Sequence, residues 1–133
     1  MLQQDTFQHK GLRKKLVEEV EAKGITDKRV LDALLKVPRH FFMESGFLNF
    51  AYRDQAFPIG AGQTISQPYT VAFQTELLQI NHMDKVLEVG TGSGYQTAIL
   101  MEMKARVYTI ERQRELYLDR KSTRLNSSHR IRS

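Results

Sequence analysis

Lys85-Val86-Leu87-Glu88-Val89-Gly90-Thr91-Gly92-Ser93-Gly94-Tyr95 is the stretch that decides the fold of this chain. Its first five residues are short, apolar and partly β-branched, the composition of a buried parallel strand. Glycines at 90, 92 and 94 break that strand. They let the backbone turn sharply and let a ligand approach with no Cβ in the way. Tyr95 to Met103, carrying Ala98, Ile99 and Met101, then reads as a helix. Arg106-Val107-Tyr108-Thr109-Ile110 reads as a second strand, closed by Glu111. Strand, glycine loop, helix and strand make one βαβ unit over 85–111, so the expected class is α/β with a parallel sheet.

The same stretch carries chemistry. A helix start offers backbone N–H groups that the helix itself does not use. An acid at the end of the second strand, Glu111, is placed to accept hydrogen bonds from ribose hydroxyls. A dinucleotide fingerprint would need its third glycine at position 95, where Tyr95 stands. A nucleoside cofactor without a pyrophosphate relaxes that demand. S-adenosyl-L-methionine, an adenosine with a zwitterionic methionine end, fits the description. The alternative is that the three glycines only make a tight turn.

Upstream, Leu12, Leu16, Val17 and Val20 recur at helical spacing between Gly11 and Lys23, with Gly24 where a C-terminal cap belongs. Thr26 or Asp27 can cap a second helix bearing Val30, Leu31, Leu34 and Leu35, halted near Pro38. Arg13-Lys14-Lys15 reads as a solvated helix face, with a polyanion contact as the alternative. Phe41, Phe42, Phe47, Phe50, Tyr52 and Phe57 read as rings packing the helices onto the rest of the domain. Stacking on bases is disfavoured because no basic residues are interleaved among them. His40 reads as structural. Pro58 to Pro68 is a glycine- and proline-punctuated loop, followed by helical spacing from Tyr69 to Gln79. Within it, Thr64-Ile65-Ser66 is either a turn that caps the next helix or a set of hydroxyl donors facing a bound anion.

At 133 residues, 41% hydrophobic and 26% charged, the composition is that of one globular domain. Cysteine is absent, so disulfides and thiolate metal sites are excluded and a reducing cytoplasm is the expected location. The four histidines show no ligand spacing, and no metal is expected. No apolar run approaches the roughly 18 residues of a membrane span. The net charge of +5 suggests an acidic partner until it is located. Residues 119–133 hold five basic side chains against Asp119, a net of +4, and the other 118 residues hold 15 basic and 14 acidic ones. The basicity belongs to the tail, so the body of the chain gives no reason to expect nucleic acid or membrane.

Five segments carry a family resemblance. They are Val37-Pro38-Arg39-His40-Phe41-Phe42, Ala51-Tyr52, Pro58-Ile59-Gly60 with Gly62-Gln63-Thr64-Ile65-Ser66-Gln67-Pro68, Val86 through Gln96, and Tyr108-Thr109-Ile110-Glu111-Arg112. In this order the chain from about Leu12 to Leu118 resembles the N-terminal half of the protein-L-isoaspartate O-methyltransferases. The Gly-Gln-Thr-Ile-Ser-Gln-Pro loop is the specific part. The resemblance implies an incomplete Rossmann-like, S-adenosylmethionine-dependent methyltransferase fold with an N-terminal helical extension. It implies methyl transfer to the α-carboxylate of L-isoaspartyl residues in damaged proteins, with such proteins and peptides as partners and a monomer when complete. By position, Ser66 matches the catalytic serine, and Thr64 and Ile65 the loop lining cofactor and substrate. Glu88, Gly90, Thr91, Gly92, Ser93 and Gly94 match the residues at the methionine end, and Glu111 the ribose carboxylate. Another Rossmann-like methyltransferase is the alternative, and a non-enzymatic basic module binding polyanions through the tail is the third reading.

After Leu118 the resemblance stops. Asp119-Arg120-Lys121-Ser122-Thr123-Arg124-Leu125-Asn126-Ser127-Ser128-His129 has no hydrophobic period. It resembles, residue by residue, one reading frame of a common short-read sequencing adapter. The expected organisation is therefore residues 1–118 as the first part of one methyltransferase domain and 119–133 as a non-native, disordered basic tail. The first part divides into a helical extension at 11–57, a catalytic loop at 58–68 and a cofactor-binding βαβ unit at 85–111. A truncated, inactive fragment is the corresponding expectation.

Overall fold

The computed structural model describes residues 3–60, 62–111 and 130–132. Helix α1 (Phe7–Ala22) starts at Thr6, whose hydroxyl accepts from the His9 amide at 3.2 Å while the His9 ring accepts from the Thr6 amide at 3.3 Å. This reciprocal cap is polar, which is why apolar spacing places the start four residues late. Gly24, at φ +117°, ends the helix. Asp27 caps α2 (Lys28–Lys36) by accepting from the Arg29 amide at 3.0 Å. Leu16, Val20, Ile25, Val30 and Leu34 form one buried cluster that continues into α3 (Pro68–Leu78) through Val71 and Ala72. Each buried Leu, Ile or Val contributes about 1.5–3 kcal/mol.

Arg13 corrects the reading of Arg13-Lys14-Lys15 as a solvated face. Lys14 and Lys15 are exposed, but Arg13 is buried. Its guanidinium grips both Asp5 oxygens at 2.9 and 2.7 Å, and also donates to the Tyr52 hydroxyl and the Leu35 carbonyl. Asp5 is held below the usual carboxylate range by this Arg13 contact.

Two 3₁₀ segments, Arg39–Phe42 and Ser45–Phe50, lead to a small antiparallel pair, β1 (Phe57–Pro58) and β2 (Thr64–Ile65). The Pro58–Pro68 loop is thus a short hairpin, with the Ile59 amide donating to the Gln63 carbonyl at 2.8 Å. Helix α3 follows with Pro68 in its first turn, and Asp54 accepts from the Tyr69 amide at 2.8 Å. Phe42 meets Tyr95 edge-on at 5.8 Å, so at least this ring packs the helical extension onto the rest of the domain.

Strands β3 (Lys85–Val89) and β4 (Arg106–Ile110) pair in parallel, Lys85 opposite Arg106 and Val89 opposite Ile110, with α4 (Tyr95–Glu102) between them in sequence. Val107 and Thr109 are buried on one face of the sheet. On the other face Leu87 and Val89 are 64% and 77% exposed. The expectation of a buried β3 fails on this face, because α4 packs on the opposite one, where its Leu100 joins Val107. Strand β5 (Arg130–Arg132) pairs in parallel with the other side of β4, where the sequence reading expects disorder. The rest of the 119–133 tail lies outside the described residues. No described helix is long and apolar enough to cross a membrane.

Candidate cofactor and substrate cleft

The glycine loop leaves β3 with Gly90 at φ +88° and Gly92 at φ +55°, and Gly94 at φ +88° starts α4. These are backbone states that L side chains rarely adopt, which accounts for the glycines. Most amides of the loop are used internally. Gly90 and Thr91 donate to the Ile110 carbonyl at 2.7 and 3.2 Å, Gly94 to the Thr91 carbonyl at 3.0 Å, and Tyr95 to the Ser93 hydroxyl at 3.1 Å. Gly92 donates to the Glu111 carboxylate at 2.6 Å. The loop therefore lacks the row of free amides that a pyrophosphate takes. This agrees with the missing third glycine and with a cofactor read by shape, hydroxyls and carboxylates.

A chain of hydroxyls fastens the loop to the strands below it. Thr109 and Thr97 both donate to one Glu88 oxygen, the former at 2.8 Å. A hydroxyl has one hydrogen, so Thr109, having given its own to Glu88, must accept from Thr91. The order Thr91, Thr109, Glu88 thus ties the loop to β4 and β3 with every donor direction settled. Thr91, Thr97 and Thr109 are buried, where an unpaired hydroxyl would cost about 1–3 kcal/mol.

A cleft of about 350 Å³ lies against this loop. Of the residues singled out in the sequence, Thr64, Ser66, Glu88, Gly90, Thr91, Gly92 and Ser93 line it together, from segments more than 20 positions apart. Ile65 does not. It is buried in the helical core, its strand alternation turning it away from Thr64 and Ser66. Gly94 and Glu111 are likewise not among the lining residues: Gly94 caps α4, and Glu111, 4% exposed, sits behind Gly92. Gln63, Val71, Val89, Tyr95 and Gln96 also line the cleft. Tyr95 and Gln96 follow the last glycine directly and could have been found by asking what the first turn of α4 faces. Val71 could not, since only tertiary packing brings α3 there.

Tyr95 is buried, which pushes its hydroxyl up to about 12 and keeps it neutral. The Arg39 guanidinium lies 4.8 Å from its ring centroid, fully buried, with its basicity reduced by that burial. Arg39 also donates to the Ala51 and Gln55 carbonyls at 2.9 and 3.2 Å, which joins the helical extension to the wall of the cleft.

A second cluster lies outside the cleft. Asp5, His9 and His40 come together although no ligand spacing in the sequence announces it. Asp5 is committed to Arg13, and His40 bonds the Tyr52 hydroxyl at 2.7 Å and the Gln4 carbonyl at 2.9 Å. With His9 stacked on it at 3.8 Å, His40 has the structural surroundings expected of it.

A parallel β-α-β unit with a glycine loop, an acid after its second strand and a hydroxyl-bearing loop across the cleft defines the Rossmann-like methyltransferase class. Residues 11–131 match the profile of the protein-L-isoaspartate(D-aspartate) O-methyltransferases, and the chain belongs to that family. The protein-L-isoaspartate O-methyltransferase of Flavobacterium johnsoniae is 64% identical over 113 residues, which are 85% of this chain and 53% of the relative. That of Christiangramia forsetii is 64% identical over 118 residues, 89% of this chain and 55% of the relative. This chain therefore spans about half the length of the curated relatives it matches. A solved protein-L-isoaspartate O-methyltransferase superposes with a TM-score of 0.77 at 28% identity, covering 90% of this chain and 41% of the other. A Plasmodium falciparum beta-aspartate methyltransferase, in complex with S-adenosyl-L-homocysteine, superposes with a TM-score of 0.73 at 25% identity, covering 90% of this chain and 61% of the other.

Proposed function

We propose that this chain supplies the cofactor-binding and carboxylate-orienting half of an enzyme that transfers the methyl group of S-adenosyl-L-methionine to the α-carboxylate of L-isoaspartyl residues in damaged proteins. The observation that carries this reading is the meeting of Thr64 and Ser66 with the glycine loop in one cleft. Family membership and the ligand of the Plasmodium falciparum structure support it.

The residues fit such a cofactor. A Cβ built on Gly90 or Gly92 meets nothing within 4 Å, so the loop leaves open space at the cleft wall. Glu88 lines the cleft and is suited to an amine, while Glu111, behind Gly92, would take ribose hydroxyls only on leaving the Gly92 amide. When bound, S-adenosyl-L-methionine supplies a methyl group on a sulfonium sulfur. The acceptor carboxylate, with a pKa of about 4, is already ionised at neutral pH, so no general base is required. The work left to the protein is positioning. Ser66 and Thr64, both exposed to the cleft, orient the carboxylate by donating hydrogen bonds and do not act as nucleophiles. The neutral Tyr95 ring and Val71 wall the site against water. Isoaspartyl proteins and peptides are the partners under this reading, the complete enzyme works as a monomer, and its place is the cytoplasm, in keeping with the absence of cysteine.

The test uses this chain and a fusion continuing it from Leu118 with the second half of the Flavobacterium johnsoniae relative. The fusion is expected to methylate an isoaspartyl peptide and to ignore the matching aspartyl peptide, with the 133-residue chain far less active. A fusion that binds S-adenosyl-L-homocysteine but methylates no isoaspartyl peptide contradicts the proposal.

A further inference from the structure

Gln96 lines the same cleft as Ser66 from the first turn of α4. Its side-chain nitrogen donates to the Thr75 hydroxyl at 2.9 Å. Thr75 is 1% exposed and donates to the Val71 carbonyl at 2.6 Å. Its only hydrogen being used, Thr75 can do nothing toward Gln96 but accept. The two ends of a glutamine amide are ordinarily interchangeable in a structure, but here the chemistry assigns them: the nitrogen faces α3. The amide oxygen and the second N–H are left over, and among the described residues neither has a partner.

We propose that Gln96 is a specificity-determining residue that pairs with the backbone N–H and C=O of one extended substrate residue, its amide locked in place by Thr75. This rests on the isoaspartyl reading above. One acceptor and one donor side by side are the complement of one extended residue, whose own N–H and C=O point to the same side, whereas those of a single trans peptide bond point to opposite sides. The methionine end of the cofactor carries full charges, for which the carboxylates at the glycine loop are the better match. A neutral amide is the better match for a neutral peptide group. Its placement agrees, because Gln96 is fastened to α3, the helix that runs straight on from the Ser66 loop. Thr75, which touches no ligand, is a positioning residue.

The experiment titrates an isoaspartyl peptide into the fusion protein saturated with S-adenosyl-L-homocysteine, with a thermal melt as a check of folding. Gln96→Leu is expected to weaken peptide binding about tenfold, the worth of one or two net hydrogen bonds, with the change in S-adenosyl-L-homocysteine affinity within about twofold. Methylating the peptide nitrogen next to the isoaspartyl residue should weaken binding to the unaltered protein similarly and to Gln96→Leu hardly at all. Thr75→Val should move in the same direction by less, and Thr75→Ser should restore binding. Equal losses from N-methylation in both proteins, or a loss by Gln96→Leu that falls on S-adenosyl-L-homocysteine, overturn the proposal. If Gln96→Leu fails to melt cooperatively, the N-methylated peptide decides with Thr75→Val and Thr75→Ser. An unaltered fusion that binds isoaspartyl and aspartyl peptides alike overturns the underlying reading, a failure visible before any substitution is made.

Discussion

The helical extension and the strand pair are built to different degrees of completion. In the extension, apolar stripes meet from three helices, and Val20 and Val30 have no exposed surface. In the sheet, α4 covers one face, while Leu87 and Val89 on the other stand 64% and 77% exposed. Val89 borders the cleft, whereas Leu87 is apolar surface left in water. The difference teaches that the glycine loop is fastened through the covered face of the sheet, where Glu88, Thr97 and Thr109 bond one another. The hydroxyl chain below the glycine loop ties it to β3 and β4, and Arg39 links the helical extension to the cleft wall through its contact with the Tyr95 ring.

That contrast can be broken by substitution. Arg13→Ala should cost the most, about 3–5 kcal/mol in urea unfolding, because it leaves the half-buried Asp5 carboxylate and the Tyr52 hydroxyl without their cation. A cost below about 1 kcal/mol would mean that the Asp5 clamp is not formed in solution. Leu34→Ala should follow at about 2–5 kcal/mol, a cavity in the finished core. Leu87→Ala, at the same residue type on the open face, should cost about 0.5 kcal/mol or less. Equal costs at 34 and 87 would erase the distinction between the two regions.

Acidity should affect the extension selectively. Burial, with His9 and Arg13 adding to it and the Gln4 carbonyl and Asp5 opposing, holds His40 below its ordinary value of 6.5. As pH falls through 6.5 the unfolded chain takes up that proton first, so the folded state loses stability. The loss continues until pH has dropped below the lower folded value of His40. Unfolding curves at pH 7.5, 6.5 and 5.5 should show a stepwise decline, and His40→Gln should flatten it. A decline of the same size without His40 would assign the effect to other groups.

Much of this was legible in the sequence for stated reasons. Both strands of the β-α-β unit run over the residues that the apolar runs mark, because the glycines and the short loops bound them sharply. Thr64, Ser66 and the glycine loop could be placed at one site only through the family resemblance, since nothing in their spacing brings position 66 to position 90. The burial of Arg13 was illegible because its partners, Asp5, Leu35 and Tyr52, are up to 39 positions away. The family resemblance put Ile65 with the site, whereas two-residue alternation sends its side chain to the core. The exposure of β3 could not be read from its composition, which describes the strand and not what stands beside it.

The most direct test of the central claim is Ser66→Ala in the fusion protein, with methyl transfer to an isoaspartyl peptide and S-adenosyl-L-homocysteine affinity measured on the same samples. A carboxylate-orienting hydroxyl predicts turnover lowered by about tenfold or more with cofactor affinity nearly unchanged. Equal loss of both would contradict it and place Ser66 with the cofactor instead.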